Sequence, residues 1–323
     1  MENQVRVGSR WVMRRARSVR VDAEGVASLA AKLRDLPAVT WDEHYHFRGD
    51  EELTLRYLLV LDALNFCFWP SLPKPLPPGG EEGMGKWSVA GPGGQRLTGY
   101  FALAYALRQA AEDDAPFFAP RALAAVDADR LRAVLGEIPL LPWRIRALRE
   151  VGDALLRFGS AGKLFARAEG SCARLVELLT AHLPLFRDAA LYRGREVVFH
   201  KRAQILCADL AGTFSEEGPG ALHDLDWLTA FADYKLPQLL WAAGALTLDP
   251  LLSQQIRRLE LVAAGSGAEV ELRAATVVAV EDLTASLCAS GRAVRPFEVD
   301  WMLWNVSQAR LPLPHHRTRT PFY

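Results

Sequence analysis

The sequence predicts a mainly α-helical protein with at most one small β-hairpin, and three observations carry that reading. Apolar residues recur at spacings of three and four through most of the chain, the period that lines them along one helical face. A single stretch, residues 191–199, joins a turn-like Arg193-Gly194-Arg195 centre to the β-forming Val197, Val198 and Phe199. No self-similarity at a period of roughly 20 to 50 residues is visible, so a solenoid is not supported.

Taken in order, residues 23–36 place Val26, Leu29, Leu33 and Leu36 on one helical face. Residues 52–64 repeat the pattern with Leu53, Leu55, Leu58, Val60 and Leu61. Residues 70–94, with PSLPKPLPPGG and then GPGG, lose too many amide donors to hold a helix and lack the alternation of a strand. A loop this long in a compact protein often acts as a lid. It is also where residues 1–323, read as one unit, would part into two intimate helical lobes. Helices are expected again at 99–111, 127–135, 143–158 and 171–183, the last opened by a serine cap and stopped by Pro184. Beyond the hairpin they follow at 201–210, 224–232, 236–243, 251–261, 269–290 and 298–309.

Composition narrows the function. The 38 basic and 38 acidic residues among 323 cancel, so nothing draws the surface as a whole to a polyanion, and a small anionic ligand fits better than a nucleic-acid duplex. Cys67, Cys172, Cys207 and Cys288 form no CxxC pair and have no histidine at ligand spacing, which argues against zinc and against a disulfide framework. Neither a metal nor another cofactor is expected. The arginine-rich N-terminus has no apolar core of a signal peptide, and no apolar run reaches the roughly 18 to 20 residues of a membrane span. Glu2, Asp22 and Glu24 interrupt what would otherwise resemble a matrix-targeting peptide. A cytoplasmic protein with reduced thiols is the expectation.

Six segments hold the residues that could do chemistry. In FADYKLPQLLWAAGAL, residues 231–246, Asp233 falls between a helix ending near Ala232 and one opened by Leu236 and Pro237. Its carboxylate either points into a cleft or caps the second helix. In FHKRAQILCADL, residues 199–210, Lys201 and Gln204 lie three apart and can aim a cation and an amide at one ligand. A cation at a helix N-terminus opposes the dipole, so an anion is expected nearby. In LNFCFWP, Phe66, Phe68 and Trp69 either line a flat pocket for a purine-like ring or fill the core. The motif EVDWMLWNVSQ sets Asp300 four residues from Trp304 and Trp301 four from Asn305, crowding an acid, an amide and two indoles onto adjoining faces. In HHRTRTPFY, Arg317 and Arg319 alternate and would point to one side of an extended chain, toward a phosphate, an internal carboxylate or water. His44 and His46, flanking Tyr45, bind a ligand or satisfy a buried loop.

These segments together resemble the queuosine salvage protein family. The resemblance rests on LNFCFW at 64–69, TGYF at 98–101, FRD at 186–188, KRAQIL at 201–206, FADYKLPQ at 231–238, EVELRA at 269–274, VDWMLW at 299–304 and the closing HHRTR. Each is weak alone, but their shared order is specific. It implies a mostly helical fold similar to helix-hairpin-helix DNA glycosylases, and hydrolysis of the N-glycosidic bond of queuosine 5′-phosphate to release queuine. It further implies a base gripped by Phe231, Asp233, Asp300, Trp301 and one of His44 and His46, with Lys201 at the active centre. An acid that animal members carry one turn beyond Asp300 is Asn305 here, which moves the expected chemistry onto Asp233 and Asp300.

On that reading Asp233 stabilises an oxocarbenium-like sugar carbon and activates water. Asp300 accepts from the guanine-like edge, Trp301 or Phe231 stacks, and Lys201 donates to the leaving base or holds the 5′-phosphate. Lys201, Arg317 and Arg319 favour the nucleotide over the nucleoside queuosine. A DNA or RNA base-excision glycosylase is the enzymatic rival, disfavoured by the charge balance. A non-catalytic nucleotide-binding helical module is the other, kept in view by Asn305.

Overall fold

The computed structural model describes residues 2–39, 44–70, 87–309 and 311–323. Its chain order is α1 (Gln4–Met13), β1 (Val19–Val21), α2 (Ala23–Leu33), α3 (Glu51–Leu64), β2 (Ser88–Ala90), β3 (Arg96–Thr98) and α4 (Gly99–Asp113). Next come α5 (Pro120–Ala124), α6 (Ala128–Leu135), α7 (Leu141–Phe158), α8 (Ala161–Ala166), α9 (Cys172–His182), β4 (Ala189–Tyr192) and β5 (Arg195–Val198). The last third holds α10 (Lys201–Thr213), α11 (Lys235–Ala242), β6 (Leu246–Leu248), α12 (Pro250–Arg257), α13 (Gly267–Ala289) and α14 (Pro296–Val306). The protein is mainly α, as the periodicity predicts. Short polar side chains start many of the helices. Asn3, Asp22, Asp50, Asp127, Ser171 and Ser266 each accept from a first-turn amide, satisfying donors that have no partner within the helix.

The β content exceeds the expected single hairpin. Besides the β4–β5 hairpin, β2 pairs with β3 and β1 pairs with β6, all antiparallel. Three-residue strands are too short to show alternation. The β1–β6 pair, with Val19 opposite Leu248, joins segments far apart in sequence and is a product of tertiary packing. Helix α1 also escaped the periodicity reading, because half of its buried face is small residues. Its inner face is Val5, Gly8, Ser9 and Val12, and a Cβ on Gly8 would sit 3.3 Å from Val197 Cγ1, so the small residue sets how closely α1 meets β5. Most of the expected loop at 70–94 lies outside the described residues.

Two large apolar clusters organise the helices. One gathers α3 to α10 around Leu58, Leu61, Leu107, Phe118, Leu148 and Leu206. The other gathers α2, α11, α13 and α14 around Leu29, Leu240, Leu272, Leu283 and Leu303. Phe231 belongs to the first and Leu236 to the second, so residues 231–236 cross from one to the other. Among the described residues, no helix is long and apolar enough to cross a membrane.

Candidate active site

A cavity of about 660 Å³ opens along that crossing. Its walls come from residues 65–69 just after α3, the start of α4, one face of α10, residues 231–236, α14, the loop at 36–39 and Tyr323. Lys201, Ile205 and Asp209 line it from α10. They lie four residues apart, so they share a face and span about 12 Å of helix.

Lys201 opens α10 after His200, which takes a left-handed φ of 48°. The anion expected at this helix start is present: Asp188 Oδ2 accepts from the Lys201 amide at 3.3 Å. Asp188 is itself gripped by both guanidinium ends of Arg273, with Nη1 at 2.8 Å from Oδ1. The Lys201 ammonium donates to the Asn65 carbonyl at 3.2 Å. Burial lowers its pKa, while Asp233, Asp62 and Asp300 pull it back up. Gln204 does not join Lys201 at the cavity. Its amide turns instead to the Phe199 carbonyl and the Thr229 hydroxyl.

Residues 224–232 are not the expected helix. A single 3-10 turn, Leu225–Trp227, is followed by chain without regular secondary structure to Asp233. Side chains from three other elements satisfy its backbone. The Thr229 amide donates to Gln204 Oε1 at 3.0 Å, the Phe231 amide to Asp300 Oδ1 at 2.7 Å, and Arg273 Nε to the Ala232 carbonyl at 3.0 Å. A buried backbone must find partners somewhere, and here partners outside the segment override its helical periodicity.

Asp233 both caps a helix and faces the cavity. Its Oδ1 accepts from the amides of Lys235 and Leu236 at 2.7 and 3.0 Å, at the start of α11. Asp300 is held the same way, by one oxygen, through Phe231. The second oxygen of each accepts no hydrogen bond among the described residues, and both residues line the cavity. Burial raises the pKa of Asp233 against the pull of Lys201. Burial, with Asp233 adding repulsion, pushes Asp300 up to about 8 against the Phe231 amide.

The remaining expected residues divide. Phe231 and Trp301 line the cavity, and Asn305 lies at its exposed rim. Phe66 lines its floor, fixed between the guanidinium groups of Arg144 and Arg202 at 4.3 and 5.1 Å from the ring centroid. His46 is buried and lines the cavity, its Nε2 2.9 Å from the Tyr100 hydroxyl. His44 is exposed and absent from the lining, and its carbonyl accepts from Arg108. Arg317 and Arg319 do not line the cavity either. They lie beside the Trp69 ring, 4.8 and 5.8 Å from its centroid, and Trp69 stands on the lining. Sequence reasoning passed over Tyr100, Asp209 and Asp62. Asp209 follows Lys201 by eight residues, and helical periodicity alone would have placed it on the same face.

Asp62, on α3, is fully buried, and neither oxygen has a hydrogen-bond partner among the described residues. Burial pushes its pKa from the ordinary 3.8 to about 8 against the pull of Lys201. A raised folded-state pKa means stability that is complete below the unfolded value and is lost as pH climbs through the folded one. Asparagine mimics the neutral acid and carries no such loss. Asp62→Asn is therefore expected to match the parent protein's Tm near about pH 4 and to exceed it near about pH 9. A Tm difference that does not widen with pH would show that Asp62 is not the group responsible.

Among the described residues, no group of three or more His, Cys, Asp or Glu is placed to hold a metal ion. The family model of the queuosine salvage protein matches residues 45–323. The chain belongs to the queuosine salvage protein family. It is 42% identical over 325 residues to a queuosine 5′-phosphate N-glycosylase/hydrolase of Sphaerobacter thermophilus, covering 98% of this chain and 96% of that one. It is 35% identical to a protein of the same name from Dictyostelium discoideum, covering 84% of this chain and 79% of that one. The counterpart from Mus musculus is 32% identical, with 98% of each chain covered.

Proposed function

We propose that this chain hydrolyses the N-glycosidic bond of queuosine 5′-phosphate and releases queuine. The observation that carries the reading is the pair of buried carboxylates, Asp233 and Asp300. Each is locked through one oxygen by backbone amides and presents the other to a cavity that also holds the Lys201 ammonium. Locked groups pay no reorganisation when charge develops. Asp233 faces the sugar, where its charge stabilises the electron-poor C1′ and orients a water. Asp300 accepts from the N1–H and amine of the guanine-like edge, with Trp301 or Phe231 on the ring face.

The bond from C1′ to N9 breaks with its electron pair leaving on the base, and the water oxygen bonds to C1′. Carbon replaces N7 in a 7-deazaguanine, so Lys201 supplies a proton at another edge, and the proton released by water restores it. Because Lys201 is enclosed by carboxylates and Arg317 and Arg319 stand beside Trp69, we assign the 5′-phosphate to Lys235 and His315, both on the lining. The unpaired cysteines fit a reducing compartment such as the cytoplasm.

Chromatography of released queuine tests this directly, with queuosine and its 5′-phosphate as parallel substrates. The nucleotide is expected to turn over on the order of tenfold faster or more, the scale of a charge-assisted contact. Equal rates would remove the phosphate assignment, and no release from either would remove the hydrolase.

A further inference from the structure

The arginine-rich N-terminus takes no part in the proposed chemistry. Residues 4–21 hold six arginines and no acid, and Arg14, Arg15 and Arg17, just past α1, are exposed. The β4–β5 hairpin brings the exposed Arg193 and Arg195 to the same place. Arg15 and Arg195 both lie over the Trp11 indole, 4.5 and 5.0 Å from its centroid. Tyr192 meets that indole edge-on at 6.0 Å and carries Arg193 at 5.5 Å. Among the described residues, none of these five arginines forms an ion pair, and the neighbouring acids are engaged elsewhere. Glu281 pairs with Arg6, Glu196 pairs with Arg187, and Asp282 faces Arg10. Glu271, on α13, is buried behind the arginines. Its Oε2 accepts from the Arg17 and Ser18 amides at 2.9 and 2.6 Å, and its Oε1 from the Tyr192 hydroxyl at 2.8 Å. One carboxylate therefore ties both segments to α13, and the arginines project from a fixed backbone.

We propose that this face binds a single strand of RNA through its phosphates. The charges of the whole chain cancel, yet here five cations gather around two rings. The pair on Trp11 is no further apart than about 10 Å, the scale of the Debye length, so the two repel. The helix dipole accounts for cations at the end of α1 but not for those of the hairpin. Arg193 moreover takes a φ of 48° beside Gly194 at 79°, in a turn whose first position favours Asn or Gly. An arginine is kept there at a conformational cost. A row of phosphates relieves the repulsion, and each guanidinium fork pairs with phosphate through two bonds. Planes already laid on aromatic rings stack on bases as well. A bilayer suits the face less. The apolar side of α1, with Val5 and Val12, is buried against β5 and α13, and Leu191, exposed on the hairpin, is too small an apolar surface to hold lipid. The choice of RNA over DNA rests on the function proposed above, whose substrate is a ribonucleotide.

Fluorescence anisotropy of the whole protein with a labelled single-stranded RNA of about 15 nucleotides tests the surface without requiring turnover. The parent is expected to bind and to lose about 50-fold in affinity between about 50 and 200 mM salt, the dependence for roughly four single-strand phosphate contacts. The double variant Arg15→Gln, Arg195→Gln removes about two of them. It should bind at least about tenfold more weakly at low salt and lose only about sevenfold over the same range. Arg193→Gly suits the turn better than arginine does, so it keeps the fold if the double variant does not, and it should weaken RNA about threefold or more. A charge-matched control on another face, Arg132→Gln with Arg146→Gln, should stay within about twofold of the parent. Equal losses in the control, an unchanged salt dependence in the double variant, or no binding by the parent would overturn the proposal. So would tighter binding of a DNA strand of the same sequence, or capture by phosphatidylserine vesicles in the absence of RNA binding. Turnover of queuosine 5′-phosphate is expected to be unchanged in all these variants. RNA binding without any release of queuine would sink the hydrolase and leave this surface standing, and release without RNA binding would do the reverse.

Discussion

Asp233→Asn is expected to lower kcat for queuosine 5′-phosphate at least about a hundredfold, the scale for losing a catalytic group, while leaving Tm within a degree or so. The two effects separate because the two carboxylate oxygens do different work. Oδ1 accepts from the Lys235 and Leu236 amides, and an asparagine carbonyl oxygen accepts equally well, so the start of α11 stays capped. The negative charge facing the cavity is what disappears. Asp233→Ala, by contrast, loses both roles and should melt lower by an amount equivalent to about 1 kcal/mol. Stopped-time chromatography and a melting curve on the same samples check the pair of variants. An asparagine variant that turns over at the parent rate would reduce Asp233 to a helix cap.

Arg273→Met is expected to give the largest loss of stability, about 3–5 kcal/mol, because it strands a buried charge. Arg273 and Asp188 are both 2% exposed. Arg273 also lies 4.0 Å from the Phe199 ring centroid and 4.3 Å from that of Tyr323. Methionine keeps much of the volume but leaves Asp188 without its cation and the Ala232 carbonyl without its donor. Ala232 precedes Asp233, so the damage reaches the site. Replacing Asp188 with leucine in the same chain should recover part of the stability, since an apolar pair tolerates burial where a lone charge does not. It should not restore kcat, because the Ala232 carbonyl remains unpaired. Denaturant melts together with turnover measure both halves. A single variant as stable as the parent would mean that the pair contributes nothing to the fold.

The helices were readable because each buries one stripe of its own residues, and a stripe is a local property. That holds for α3, α4, α7 and α9, whose ends differ from the expected ones by a few residues. It failed at 224–232, where the residues carry helical spacing. The backbone nevertheless forms no α-helix, because Gln204, Asp300 and Arg273 offer it better-placed partners. It failed at α1 for the opposite reason: small residues, Gly8 and Ser9, face the core, and smallness leaves no apolar signature. The two readings of Asp233, cap and cleft, proved compatible because a carboxylate has two oxygens.

Residue types and their order were enough to place the chain in its family and to name Lys201, Phe231, Asp233, Asp300 and Trp301 as a group, since the chemistry of a site is written in which side chains occur. Orientation needed the folded molecule. Putting His46 rather than His44 on the cavity wall, setting Arg317 and Arg319 beside Trp69, and bringing Asp209 to the same cavity all depend on which way a side chain points once distant helices meet. That is fixed by burial and by the partners each polar atom finds, and neither exists until the chain has closed on itself.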